Sequence, residues 1–166
     1  MSYFPYRFEG EIVHHDVGSE TYAYTVVFLP GELAQKLPLK TYPRLRVSGE
    51  IGEHPFEAAL TPVRGCWYIL LSRKMLRTLG SGVGDIVEVC FDIADQDAVN
   101  VPKALQEALS ANRKMDRLWK AQTAGKQRGL AYRVASAKTL ATQNKRISEV
   151  FGILSGKLDM RGKPVD

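Results

Sequence analysis

Three histidines, two cysteines and a concentration of basic residues toward the end are the side chains of this 166-residue sequence with the means to do chemistry. His14, His15 and Asp16 are adjacent in "YRFEGEIVHHD". On a strand successive side chains point to opposite faces, so His14 and His15 cannot close on one metal ion. His14 and Asp16 can share a face, but two ligands fall short of the three or four that a zinc site uses. Cys66 and Cys90 stand among apolar residues with no Cys-x-x-Cys spacing, which predicts buried, reduced thiols rather than a disulfide or a zinc ligand. His54 precedes Pro55 beside a hairpin turn and is expected to be exposed. The glycines of "GSGVGD" (80–85) follow a helix instead of opening one, so they do not cradle a phosphate. Neither a Gly-x-Ser-x-Gly elbow nor a P-loop is present. The expectation is no catalytic residue, no metal and no cofactor, and the balance tilts away from an enzyme.

The charge is unevenly placed. Residues 1–102 hold 9 Lys+Arg against 13 Asp+Glu, and residues 103–166 hold 14 against 5, within a net charge of +5. Six cations of the second half, Lys126, Arg128, Arg133, Lys138, Lys145 and Arg146, fall close to Tyr132 and Trp119. Of these, Arg128, Arg133, Lys138, Lys145 and Arg146 are the residues expected to meet an anionic partner, a nucleic acid or an acidic protein. The same charge also suits a solvated helix face, or one that complements the acidic half, and no base-reading motif accompanies it.

The elements that must position these residues are of two kinds. Aromatic and β-branched runs at 6–15, 21–29, 44–51, 55–63, 66–71 and 86–91 read as strands, with turns at Gly18-Ser19, Gly52-Glu53 and Arg64-Gly65. Short helices open at Pro30-Gly31 and after Ser72. Residues 29–47 laid over 71–89 bring Leu29 onto Leu71, Leu33 onto Met75, Leu37 onto Leu79, Leu45 onto Val87 and Val47 onto Val89. This is a strand–helix–strand unit repeated at an offset of 42 positions. From Val101-Pro102 onward apolar residues recur at helical spacing, with a restart capped by Ser110, a cap at Thr123 and another at Thr139 or Thr142. The chain is thus expected to be α+β: a small closed or split β-barrel with short capping helices over residues 1–100, a helical segment over 101–157, and a frayed tail over 158–166.

The stretch "LSRKMLRTLGSGVGDIVEVCF" (71–91) resembles the strand–helix–turn–strand element of AbrB-type bacterial transcription factors, which bind DNA as dimers. Two such units in one chain would close the barrel in cis, which predicts a monomer. Arg73, Lys74 and Arg77, set in an acidic half, are expected to solvate the helix rather than hold phosphate.

Taken with "FLPGEL", "VSGEIGEHPFEAAL" and "VPKAL", the order of parts resembles the YdeI/OmpD-associated, bacteriocin-protection family. Its C-terminal hallmark, Ala-Lys-x-x-x-Thr-Arg-x-x-Arg-Ile, corresponds here to Ala137, Lys138, Thr142, Gln143, Arg146 and Ile147. Gln143 stands where the hallmark has its first arginine, and Arg133 where an aromatic is common. The resemblance implies a barrel of unknown function joined to a helical domain and a link to bacteriocin resistance, with no reaction attached.

Hydrophobic content of 45% and charged content of 25% suit a globular protein. The start has no basic segment leading into an apolar one, and no apolar run reaches the roughly 18 residues of a bilayer span, so a cytoplasmic protein without membrane insertion is expected. Two functions follow. One is a non-enzymatic binding or stress-associated module with a basic helical surface. The other is a small-ligand carrier or enzyme with a pocket at the barrel mouth or the barrel–helix junction.

Overall fold

The computed structural model describes residues 3–16 and 23–166. Two compact units divide at Gln96–Asp97, each with a hydrophobic core of its own. The turn expected at Gly18-Ser19 lies outside the described residues.

The first unit contains β1 (Tyr6–Asp16), β2 (Ala23–Phe28), α1 (Gly31–Ala34), β3 (Arg46–Ile51), β4 (His54–Ala59), β5 (Thr61–Val63), β6 (Cys66–Leu70), α2 (Arg73–Leu79) and β7 (Ile86–Ile93). The strands form one antiparallel sheet in the order β4-β3-β7-β1-β2-β6-β5. Its two end strands are consecutive in the chain and separated only by the fully buried Leu60, so the sheet curls back toward itself. Inward positions such as Ile12, Val27, Val47, Ile69, Val89 and Phe91 fill the interior. Glu9, Glu11, Glu50 and Glu57 alternate outward into solvent, as their spacing predicts.

The duplication is visible in the hydrogen-bond register. Val27 pairs with Ile69, and Gly49 with Phe91, each pair 42 residues apart. Every other pair in these two ladders maps onto a second pair under the same offset: Val26–Leu70 onto Phe28–Tyr68, and Val47–Ile93 onto Ile51–Val89. The flanking bonds obey it too, since Leu29 N–H donates to Trp67 O and Leu71 N–H to Thr25 O. A pseudo-two-fold axis therefore passes through both ladders. At the Gly49–Phe91 crossing the strands come so close that a Cβ on Gly49 would stand 1.9 Å from the Cys90 carbonyl oxygen.

Local chemistry sets the connections. Gly52-Glu53 and Arg64-Gly65 have positive φ at both residues, as a two-residue type I′ hairpin requires. Ser72 caps α2 by accepting from Met75 N–H, and Gly80 ends it in the left-handed region. Arg73, Lys74 and Arg77 are exposed on α2.

Two details depart from expectation. Cys90 is buried, but Cys66 opens β6 beside a turn and is exposed, because a strand's first residue lies beyond the neighbours that would cover it. His54 belongs to β4 and is half-buried, paired with Ile51 across the hairpin. His15, as strand alternation predicts, turns away from His14, and it lodges against Phe28 and Tyr68, with ring centroids 5.7 Å and 5.3 Å away.

The second unit contains α3 (Lys103–Ser110), α4 (Arg113–Lys120), α5 (Ala124–Ala135) and α6 (Leu140–Leu154). Leu105, Leu109, Trp119, Leu130, Val134, Val150 and Ile153 are among the residues of its core. Trp119 is thus a core residue and no part of a basic surface. The break between α3 and α4 is capped by Asn112, which accepts from Met115 N–H; Ser110 ends α3 instead. Thr123 and Thr139 cap α5 and α6.

Residues 158–166 do not fray as expected. Leu158 packs onto Gly152 of α6, at a distance that leaves no room for a Cβ there. Asp159 then closes a turn, its carboxylate accepting from Arg161 and Lys163 N–H at 2.8 Å and 2.9 Å. Val165 N–H returns to Lys157 O. The apolar Leu158 is the anchor that a polar, Gly/Pro-containing stretch conceals in sequence.

Candidate functional site

Helices α5 and α6 each bury one stripe, and the stripes beside these leave an open groove. On α5 the groove is lined by Gly129, Tyr132, Arg133 and Ser136; on α6 by Thr142, Lys145, Arg146 and Glu149. Each set has the spacing i, i+3, i+4, i+7, one helical face distinct from the core stripe. The groove encloses about 530 Å³.

Its two arginines are held by the protein itself. Arg133 Nη1 donates to Glu149 Oε2 at 2.8 Å, tying α5 to α6, and its Nη2 donates to Met160 O at 2.7 Å. Arg146 Nη1 donates to Arg133 O at 2.9 Å and to Ser136 Oγ at 2.7 Å, satisfying a carbonyl in the last turn of α5 that has lost its helical partner. Lys145 is exposed and has no ion-pair partner among the described residues. Tyr132 is 72% exposed on the opposite wall. Gly129 leaves open space beside the ring, since an added Cβ there meets nothing within 4 Å. Thr142, which lines the groove, is fixed by Thr139, whose hydroxyl donates to the Thr142 hydroxyl at 2.9 Å while accepting from Thr142 N–H.

The structure brings together three of the five anion-contact residues expected from sequence, Arg133, Lys145 and Arg146. Lys138 lies exposed in the turn between α5 and α6 and does not line the groove. Arg128 points elsewhere, donating to Ala98 O at 3.2 Å. Gly129, Ser136 and Glu149 were not singled out from sequence. Their signal is the polar stripe at helical spacing, which becomes a site only when a second helix supplies the facing wall.

The first unit has an open cleft of about 640 Å³ on the β3–β4 hairpin, flanked by Phe4, Glu50 and Glu57. Among the described residues no group of three or more His, Cys, Asp or Glu is placed to hold a metal ion, and no helix is long and apolar enough to cross a membrane.

Comparison with known proteins agrees with this division. Residues 98–155 match the family described as "Bacteriocin-protection, YdeI or OmpD-Associated", a span that contains both walls of the α5–α6 groove. Residues 8–90 match "Domain of unknown function (DUF1905)", which spans the curled sheet. No curated protein matches the chain. With the curled sheet first in sequence and the four-helix unit second, the chain carries a DUF1905 domain over residues 8–90 and, over residues 98–155, a domain that matches the bacteriocin-protection, YdeI or OmpD-associated family.

Proposed function

We propose that this bacteriocin-protection-associated module binds an anionic partner along the α5–α6 groove and catalyses no reaction upon it. The observation that carries the reading is the pairing of Lys145 and Arg146 on one wall with the exposed ring of Tyr132 on the other. Cations that meet phosphates, beside an aromatic face on which a base can stack, suit a single-stranded nucleic acid. Lys138 extends the positive path past the end of the groove.

A second reading is favoured by the hydrogen bonds of Arg133 and Arg146. Both guanidinium groups are already engaged within the unit, so much of the charge counted in sequence acts as a staple between α5 and α6. An acidic protein could then be recognised by Lys138 and Lys145 alone.

The test is a salt titration with a fluorescent oligothymidylate and, in parallel, polyglutamate. Binding of the oligonucleotide should weaken linearly on a log–log plot against salt. Each cation that meets a phosphate of a single strand contributes roughly 0.7 to that slope, so the double variant Lys138→Gln/Lys145→Gln should reduce it by about 1.4. Tyr132→Ala should cost about tenfold in affinity at constant slope. Absence of oligonucleotide binding at low salt, with polyglutamate retained, would replace the nucleic-acid reading by the acidic-protein one.

A further inference from the structure

We propose that the helical unit holds a second site, a cleft between α3 and α4 that takes a small uncharged ligand carrying a carboxamide. It is independent of the α5–α6 groove and shares no lining residue with it. The cleft is formed where residues 99–101, outside any helix or strand, pass α3 and α4, and it measures about 600 Å³, within the range of small-molecule sites.

Trp119 is the residue that asks for a ligand. It is only 6% exposed and belongs to the core, yet its indole N–H donates to no acceptor among the described residues. The nitrogen is not sealed in either, because no fully buried side-chain nitrogen or oxygen among the described residues is without a partner. The little surface Trp119 retains therefore includes its donor, and Trp119 lines the cleft. Trp67, the other tryptophan, shows the ordinary outcome, its indole donating to Pro43 O at 3.1 Å.

The surroundings select the chemistry of the acceptor. An indole N–H only donates, so the ligand must present a lone pair. The lining is mostly polar, with Val101 and Leu109 in its apolar part, which leaves room for only a small apolar body beside polar groups. The cation at its edge, Lys120, is already paired with Asp116 at 2.8 Å, so a bare carboxylate would give up its hydration with no free counter-charge. Asn100 and Gln106 present amides that both donate and accept, and their side chains make no hydrogen bond among the described residues. A carboxamide matches this set: its oxygen accepts a hydrogen bond from the Trp119 indole N–H, and its NH₂ group has amide oxygens within the same cleft.

Benzamide and benzoate, which share a ring and differ in charge, are the probes. With the full chain labelled by ¹⁵N, the two indole N–H resonances are told apart by Trp67→Phe. Benzamide should shift the Trp119 indole resonance downfield in a saturable way, with a Kd on the order of 1 mM for so small a ligand. Benzoate should bind at least tenfold more weakly. Ser110→Phe fills the cleft from an exposed position at the end of α3 and should weaken benzamide at least tenfold with the remaining spectrum unchanged. The proposal is overturned if benzamide leaves the Trp119 resonance unmoved up to its solubility limit. It is equally overturned if benzoate binds as well, or if Ser110→Phe binds benzamide like the parent chain.

Discussion

Arg146 shows how a residue chosen for one kind of chemistry can be occupied by another. Its charge and its place in the family-like motif point to an anion, and its Nη1 instead closes the end of α5. What remains for a partner is the rest of the guanidinium and the neighbouring Lys145. Asp159 is a simpler case in which the structure dictates a titration. Its carboxyl is held below its ordinary value of 3.8, chiefly by the backbone N–H of Lys163, with Arg161 N–H and the Arg161 charge adding to the effect. The bonds require the ionised form, so a lowered value means that the turn is intact at and above 3.8 and opens only as pH falls through the lower, folded-state value. The Lys163 and Arg161 amide resonances should therefore titrate together with a midpoint below 3.8. A midpoint at or above that value would show that the turn does not hold the carboxylate.

Among the elements, two glycines should respond oppositely to an added methyl group. Gly49 sits where β3 and β7 cross, and the group facing it is backbone, which cannot swing aside. Gly49→Ala should cost about 3 kcal/mol or more, read as a fall in the denaturation midpoint or as loss of soluble protein. Gly129 lies in the middle of α5 facing open space, and Gly129→Ala should stabilise the helical unit by about 0.5–1 kcal/mol. If the two substitutions had equal effects, the close approach of β3 and β7 would be wrong. The repeat itself was legible in the spacing of Leu29, Leu33, Leu45 and Val47 against their partners 42 residues on, because inward positions of both copies must fill one interior. The crossing at Gly49 was not legible, since any glycine in a strand pattern reads only as a weak position.

At the scale of the whole molecule, the two units have separate cores and separate family matches. A fragment of residues 97–166 should accordingly fold alone and melt in one cooperative transition with helical circular dichroism. About 70 residues is small for a single core, so a midpoint well under that of larger domains is expected. A fragment without a cooperative transition would mean that the helical unit depends on the barrel. The uneven charge belongs to this scale too. It was visible at once by counting, yet counting could not distinguish cations that face solvent from those engaged with carbonyls and Glu149.

Alternation, helical spacing and capping residues by themselves determined the strands, the short helices, the repeat and the four-helix ending, because each depends on neighbours within a few positions in the chain. They also set which carboxylates face outward and which apolar residues turn in. Only tertiary structure decided that Trp119 is buried with its N–H left for an outside acceptor, that Arg133 and Arg146 staple two helices, and that Leu158 pins the last residues to α6. Those outcomes depend on distances between residues far apart in sequence. A hydrogen bond or a cleft exists only once two separately folded faces have been brought within a few ångströms of each other.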